Sequence, residues 1–119
     1  TGLMLYFPSV KYNRNGYVDG NQQVRNYPVQ YLATAEIVPI ALVFAWHLLK
    51  IHNMNTFIIN TIHDSILCEV HPEEAVEWTE IMKQAMEHWP VAYMEQMYGI
   101  QLDVPLAVEI KLTKFWGEM

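Results

Sequence analysis

Apolar and polar positions follow two rhythms along this chain, and the changes between them mark its elements. Leu3 to Phe7 is apolar and β-prone, and Pro8 ends the run, which predicts a first strand. Asn13, Asn15, Gly16, Asp19 and Gly20 then fill Lys11 to Asn21 with turn-forming residues, predicting an exposed loop or hairpin tip. From about Gln22 to His52 the rhythm is helical, with Leu32, Ala35, Ile40, Val43, Phe44 and Leu48 near one face. Pro28 and Pro39 each remove a backbone donor and crowd the preceding turn. The expected helix therefore starts near Pro28, kinks near Pro39 and ends by Asn53.

Beyond it, Thr56 to Ile62 and Ile66 to Val70 are β-branched and apolar, and the polar break His63-Asp64-Ser65 between them predicts a β-hairpin. Pro72-Glu73-Glu74 opens a second helical segment, since proline and acids suit a helix N-terminus. Its apolar stripe is Ala75, Trp78, Ile81, Met82 and Ala85. Pro90 should break it, a short helix should follow to about Tyr98, and Gly99 is a suitable C-cap. Finally, Leu106, Val108, Ile110 and Leu112 alternate with Ala107, Glu109 and Lys111, predicting a strand over Val104 to Phe115. The order strand, helix, hairpin, helices, strand predicts an α+β fold in which a small antiparallel β-sheet packs against helices on one side.

Composition narrows the function classes. The chain has 119 residues, 52% of them apolar, which suits a single domain with a buried core. No repeat, low-complexity tract or run of like charge interrupts it. The formal net charge of −6 argues against a free-standing nucleic-acid-binding domain, which ordinarily carries a basic footprint. Cys68 is the single cysteine, so no internal disulfide forms; this fits a reducing cytoplasm, and its apolar neighbours suit an inert buried thiol. The longest apolar run, Ile37 to Trp46 extended by Leu48 and Leu49, is shorter than the roughly 20 residues of a bilayer span, and it lies mid-chain where no signal peptide would. A buried core helix, with no membrane association, is expected there.

The candidate chemistry sits at the hairpin tip. A carboxylate on a tight turn between buried strands is held rigidly yet reaches solvent, as a divalent cation ligand must; Mg²⁺ takes oxygen ligands, commonly one or two carboxylates plus substrate phosphates. Asp64 with His63 beside it meets that description. A histidine and aspartate in a turn also occur with no metal, as plain turn formers making local hydrogen bonds.

Two segments in fixed order carry a resemblance. Asn26-Tyr27-Pro28-Val29-Gln30 followed by Ala33-Thr34-Ala35-Glu36 is similar to the element Asn-x-Pro-x-Gln-Gly-x-Ala-Ala-Asp of family A DNA polymerases. Further on, Thr61-Ile62-His63-Asp64-Ser65-Ile66-Leu67-Cys68-Glu69-Val70 resembles that family's Val-His-Asp-Glu motif, and Val104-Pro105-Leu106 with Trp116 resembles its chain end. The resemblance covers nearly the whole chain and implies that residues 1–119 are the C-terminal part of a polymerase palm, incomplete without upstream palm and fingers. It implies that Asp64 is the second catalytic aspartate, holding two Mg²⁺ ions with a first aspartate from elsewhere, and that His63 contacts the primer end. Asn26 and Gln30, four apart on one helix face, would reach minor-groove acceptors that look alike for every base pair, with Arg25 beside them. The implied partners are primer-template DNA, a deoxynucleoside triphosphate and the N-terminal polymerase portion, in the cytoplasm of a bacterium or phage-infected cell.

The sequence also departs from the family pattern. Ser65 stands where a glutamate is usual, Tyr31 where a glycine is, and Gln22 where an arginine is. The Asp-x-Ser-x-Ile-Glu and Lys-x-x-x-Asn-Phe-Gly motifs, which carry the first aspartate and bind the incoming nucleotide, do not occur, so the chain alone is expected to be inactive. Two other readings stand beside this one. A non-catalytic remnant or assembly module would use the four tryptophans and seven methionines at an interface. An HD-type metal phosphohydrolase would need its His-Asp pair on a helix, whereas strand formers flank this one, and His47 and His52 share a helix face poorly.

Overall fold

The computed structural model describes Gly2, Met4, Leu5, Lys11, Tyr12, residues 14–18 and residues 21–118. The strand expected over Leu3 to Phe7 lies largely outside these residues. An antiparallel bridge between Tyr12 and Val18 closes a turn over Arg14 and Asn15, which is the expected hairpin tip.

Three helical stretches then run without a break: α1 (Asn21–Tyr31), a π-helical stretch over Leu32–Ile37, and α2 (Val38–Ile51). The helix begins seven residues ahead of Pro28, which lies inside α1, so the expected start is corrected. Near Pro39 the correction is subtler. Proline has no N–H for the carbonyl of Ala35, and its ring crowds that carbonyl; the chain widens into the π stretch immediately ahead, and Pro39 sits in the first turn of α2. The same device recurs at Pro90. There α3 (Ala75–Lys83) widens over Gln84–His88 and continues as α4 (Trp89–Tyr98), so the proline interrupts the α-helical pattern without ending the helical path. Single π turns inside helices are an established way of absorbing such irregularity.

The helix ends follow sequence logic. Asn53, at φ 53, terminates α2 with Met54 N donating to Leu49 O and Asn53 N to Lys50 O, both at 3.0 Å, the bond pair of a Schellman cap. Gly99, at φ 66, ends α4 in the left-handed region as expected. The 3₁₀ turn Pro72–Glu74 leads into α3.

Strands β1 (Phe57–Ile62) and β2 (Ser65–Glu69) form the antiparallel hairpin. The α+β class is thus observed, with helices backing one face of a small sheet. Ala45 and Leu49 of α2 meet Trp78, Ile81, Met82 and Ala85 in the buried core, and Ile58, Ile66, Cys68 and Val70 of the hairpin lie on it. Phe44 stacks on Trp89 at 5.4 Å and meets Tyr93 edge-on at 6.0 Å, extending the packing along α2.

Two expectations fail. No strand forms over residues 104–115, although burial alternates from Leu106 to Ile110 as it would along one. A strand needs a partner about 4.8 Å away, and this segment stands off β2 across an open cleft. The helical path also has more apolar length than its sequence run suggested. Val24–Ile51, 28 residues, is long and apolar enough by length and composition to cross a membrane, a test that core helices of soluble proteins also pass. Ala41, Ala45 and Leu49 are buried, while Val43, Trp46 and Ile51 stay exposed. With a radius of gyration of 18.1 Å, the chain is less compact than a self-contained domain of this length, for which about 13–14 Å is usual.

Candidate functional site

The hairpin tip is built from its two strands. β-branched residues hold β1 and β2 extended, and Ile62 pairs with Ser65, leaving His63 and Asp64 as a two-residue loop. Such a turn requires positive φ, and His63 supplies it at φ 54. Among the described residues, His63 and Asn53 are the non-glycines in that region. The Ser65 hydroxyl donates to the Ile62 carbonyl at 2.8 Å and closes the loop from within. A register shift between Ile58 and Asn60 bulges β1, and the Asn60 side chain accepts from Thr61 N at 2.8 Å. Bulges of this kind bend a strand and re-aim what lies beyond.

The base of the hairpin is clamped by Glu74. One carboxylate oxygen accepts from Asn55 N at 2.9 Å and from the Asn55 side chain at 3.2 Å; the other accepts from Thr56 N at 2.9 Å and the Thr56 hydroxyl at 2.7 Å. That hydroxyl in turn accepts from His71 N at 3.0 Å. The Asn55 N–H, and then the Thr56 hydroxyl, hold the Glu74 carboxyl down to about 2. This cluster fixes the entry to β1, the exit of β2 and the start of α3 against one another, and thereby the direction in which the tip points. His52 Nδ1 and Glu77 Oε1, 3.1 Å apart, add a second tie between the end of α2 and α3.

Asp64 and His63 are both exposed. Neither makes a hydrogen bond or ion pair with another described residue, so both are available to a ligand. Asp64 stands at a cleft of about 770 Å³, lined by β2, by Trp78, Met82 and Met86, and by residues 107–114. Arg25, Asn26 and Gln30 are exposed on α1 and do not line that cleft. The structure therefore joins His63 with Asp64, and sets Asn26 and Gln30 one turn apart, without bringing the two sets into one pocket. Among the described residues no group of three or more His, Cys, Asp or Glu side chains gathers around a metal position, so any cation at Asp64 needs further oxygen ligands from elsewhere. Cys68 is half-buried, and burial raises its thiol pKa, as expected of an inert thiol.

Sequence reasoning does not single out Ser65 or Glu74 as site-building residues. Ser65 stands in the sequence as a departure from a motif; its role in closing the loop is a local side-chain to backbone bond, typical of serine in turns. Glu74 reads as a helix-start acid, and its grip on residues 18 and 19 positions away is not a local signal.

A helix-backed hairpin thus presents an unpartnered carboxylate on a rigid two-residue tip. Residues 2–118 match the family described as DNA polymerase family A, and the chain belongs to it. The DNA polymerase I of Caldicellulosiruptor bescii is 33% identical over 110 residues, covering 92% of this chain and 11% of that protein. The chain thus spans about a tenth of the length of that relative. No solved structure matches significantly.

Proposed function

We propose that this chain is the C-terminal part of the palm of a DNA-directed DNA polymerase, with residues 1–119 forming one incomplete domain that works with upstream palm and fingers. The observation that carries this reading is the exposed His63-Asp64 tip in a chain that belongs to family A. Asp64 would provide one carboxylate to the Mg²⁺ site, and the remaining oxygens would come from a second aspartate outside this chain and from nucleotide phosphates; that fits a cation that binds one or two carboxylates plus phosphate and water. Mg²⁺ there supplies activation of the primer hydroxyl and charge neutralisation on the leaving pyrophosphate. The rigid turn holds the Asp64 carboxylate in place, and His63, on the same tip, orients the primer end. Arg25, Asn26 and Gln30 on α1 would meet the primer-template, Asn26 and Gln30 reading pair geometry and Arg25 a phosphate. Catalysis needs both carboxylates, so the isolated chain is inactive. The net charge of −6 suits a part that brings the acidic side of the site while other segments grip DNA. The exposed apolar surface of the long helix is then covered by polymerase polypeptide and not by lipid, in the cytoplasm of a bacterial or phage-infected cell.

The test replaces the matched 110 residues of the Caldicellulosiruptor bescii polymerase with this chain and measures primer extension in Mg²⁺. The chimera should extend primers, and Asp64→Asn should lower its rate by about a thousandfold or more, the scale on which electrostatic stabilisation of a transition state acts. A chimera whose extension rate is unchanged by Asp64→Asn would sink the assignment.

A further inference from the structure

Cations are scarce in this chain, 7 lysines and arginines against 13 acids, yet Lys111 and Lys114 both line the cleft that Asp64 and Ser65 line. Among the described residues no other lysine or arginine does so. Arg25 and Lys50 lie on α1 and α2 and Lys83 at the end of α3, outside that lining. Ile110 packs on the core, so its neighbours Glu109 and Lys111 turn away from the helices. Lys111 Nζ lies 3.2 Å from Glu109 Oε1 with both side chains more than half exposed, and exposed pairs of this kind are weak enough to exchange partners. The turn that follows is fixed through its backbone. The Thr113 hydroxyl donates to Phe115 O at 3.1 Å, and Lys114 N donates to Glu118 Oε2 at 3.2 Å. The Lys114 ammonium joins no ion pair with a described residue. Neither lysine belongs to the segments that carry the family resemblance.

We propose that Lys111 and Lys114 hold backbone phosphates of the DNA strand whose end lies at the hairpin tip. This rests on the polymerase reading, which puts a strand end at His63 and Asp64. Such a strand carries one phosphate per nucleotide and has to leave the tip along a surface beside it. Asp64 and Glu109 make that surface acidic, and phosphates are repelled from it unless cations intervene. Lys111 and Lys114 are those cations. Lysine suits the task, because its ammonium is a point charge on a flexible stem, and a phosphate contact positions DNA without reading a base. Three residues span at most about 10 Å of extended chain, so both ammonium groups can follow one strand. A phosphate at Lys111 displaces Glu109, whose carboxylate then turns to solvent. Arg25, Asn26 and Gln30 lie outside the cleft on α1, so the two lysines form a second, separate contact with DNA.

The test uses the polymerase chimera in EDTA without nucleotide, so that binding is read apart from catalysis. Fluorescence anisotropy of a labelled primer-template gives the association constant K as salt is raised. Each phosphate contact contributes about 0.9 to the slope of log K against log salt. Lys111→Gln with Lys114→Gln should therefore flatten the slope by about 1.8 and weaken binding about sixtyfold at about 0.1 M salt, a difference that vanishes toward about 1 M. Lys111→Arg with Lys114→Arg keeps the charges and should keep the slope. Lys83→Gln, exposed on α3 and outside the cleft, should keep it too. In the unsubstituted chimera, DNA should slow acetylation of Lys111 and Lys114 and leave Lys83 unaffected, a measurement that asks no variant to fold. The proposal is overturned if the glutamine pair flattens the slope by less than about 0.5, if Lys83→Gln flattens it as much, or if both lysines acetylate equally fast with and without DNA. A shifted Mg²⁺ requirement for extension at an unchanged slope would also overturn it, by showing that the lysines act on Asp64 and not on DNA. Asp64→Asn separates the two readings. Lost extension in that variant beside an unchanged slope in the glutamine pair sinks the lysine contact alone. A flattened slope beside extension indifferent to Asp64→Asn keeps the contact and sinks the Asp64 assignment.

Discussion

His63 carries a backbone conformation that its side chain opposes, and removing that side chain to the last carbon should make the protein more stable while disabling it. At φ 54 a Cβ crowds the following carbonyl, at about 1–2 kcal/mol for a residue in the left-handed region. Glycine escapes this but gives back about 0.5–1 kcal/mol through the greater freedom of the unfolded chain. His63→Gly should therefore gain about 0.5–1 kcal/mol over His63→Ala, which keeps the Cβ. Both variants lack the imidazole, and the imidazole makes no hydrogen bond to a described residue, so the comparison isolates backbone strain. His63→Val adds a β-branch and should fall below alanine. Urea unfolding at constant m-value measures the order Gly, Ala, Val, and thermal unfolding should show glycine about 2–4 °C above alanine. Primer extension by the chimera should fall in all three. The reasoning is refuted if His63→Gly is no more stable than His63→Ala, because the turn would then not be strained by a side chain. A gain in stability with a loss of extension is the pattern expected where strain is kept for function.

Other outcomes follow from the same contacts. The Glu74 pKa lies below its ordinary 4.5 in the folded state, so its stabilising contribution is complete above about that pH and is lost as pH falls toward about 2; acid unfolding of Glu74→Gln should lack this component, and an unchanged acid limb would refute the clamp. Asn53→Gly should stabilise by about 0.5–1 kcal/mol, because glycine reaches the same Schellman cap without a Cβ, and chemical denaturation measures it. Met82→Ala, at 2% exposure in the core between α2 and α3, should destabilise by about 2–5 kcal/mol, read as a lower denaturation midpoint.

What the sequence makes legible is whatever depends on near neighbours. The hairpin strands lie within a residue of where β-branched residues predict them, because two short strands joined by two residues form their own ladder. The C-cap at Gly99 and the end of α2 at Asn53 follow from residues that tolerate positive φ. The stripe Trp78, Ile81, Met82 and Ala85 is buried as its spacing requires. Prolines mislead. Pro28, Pro39 and Pro90 predict boundaries because each deletes a bond, but Pro28 lies inside α1, and ahead of Pro39 and Pro90 the helical path absorbs the loss by widening a turn. The tip is legible as chemistry, whereas Glu74, which orients the tip, is not, since its partners lie 18 and 19 positions away.

The failed strand over residues 104–115 belongs to a different kind of error. Its alternation is real, and the burial of Leu106, Val108 and Ile110 follows it. What the pattern cannot supply is the neighbour, because a strand is defined by a ladder and not by a side-chain rhythm. The same distinction accounts for β2, which among the described residues has one partner and one open edge. Two deficits, an unpaired edge and an unpaired segment, border one cleft. Independent defects would scatter over the molecule, and open sheet edges in folded proteins are ordinarily blunted or covered. Their convergence on one space beside Asp64 explains both at once, because neither backbone edge can form a ladder while the two stand apart across the cleft.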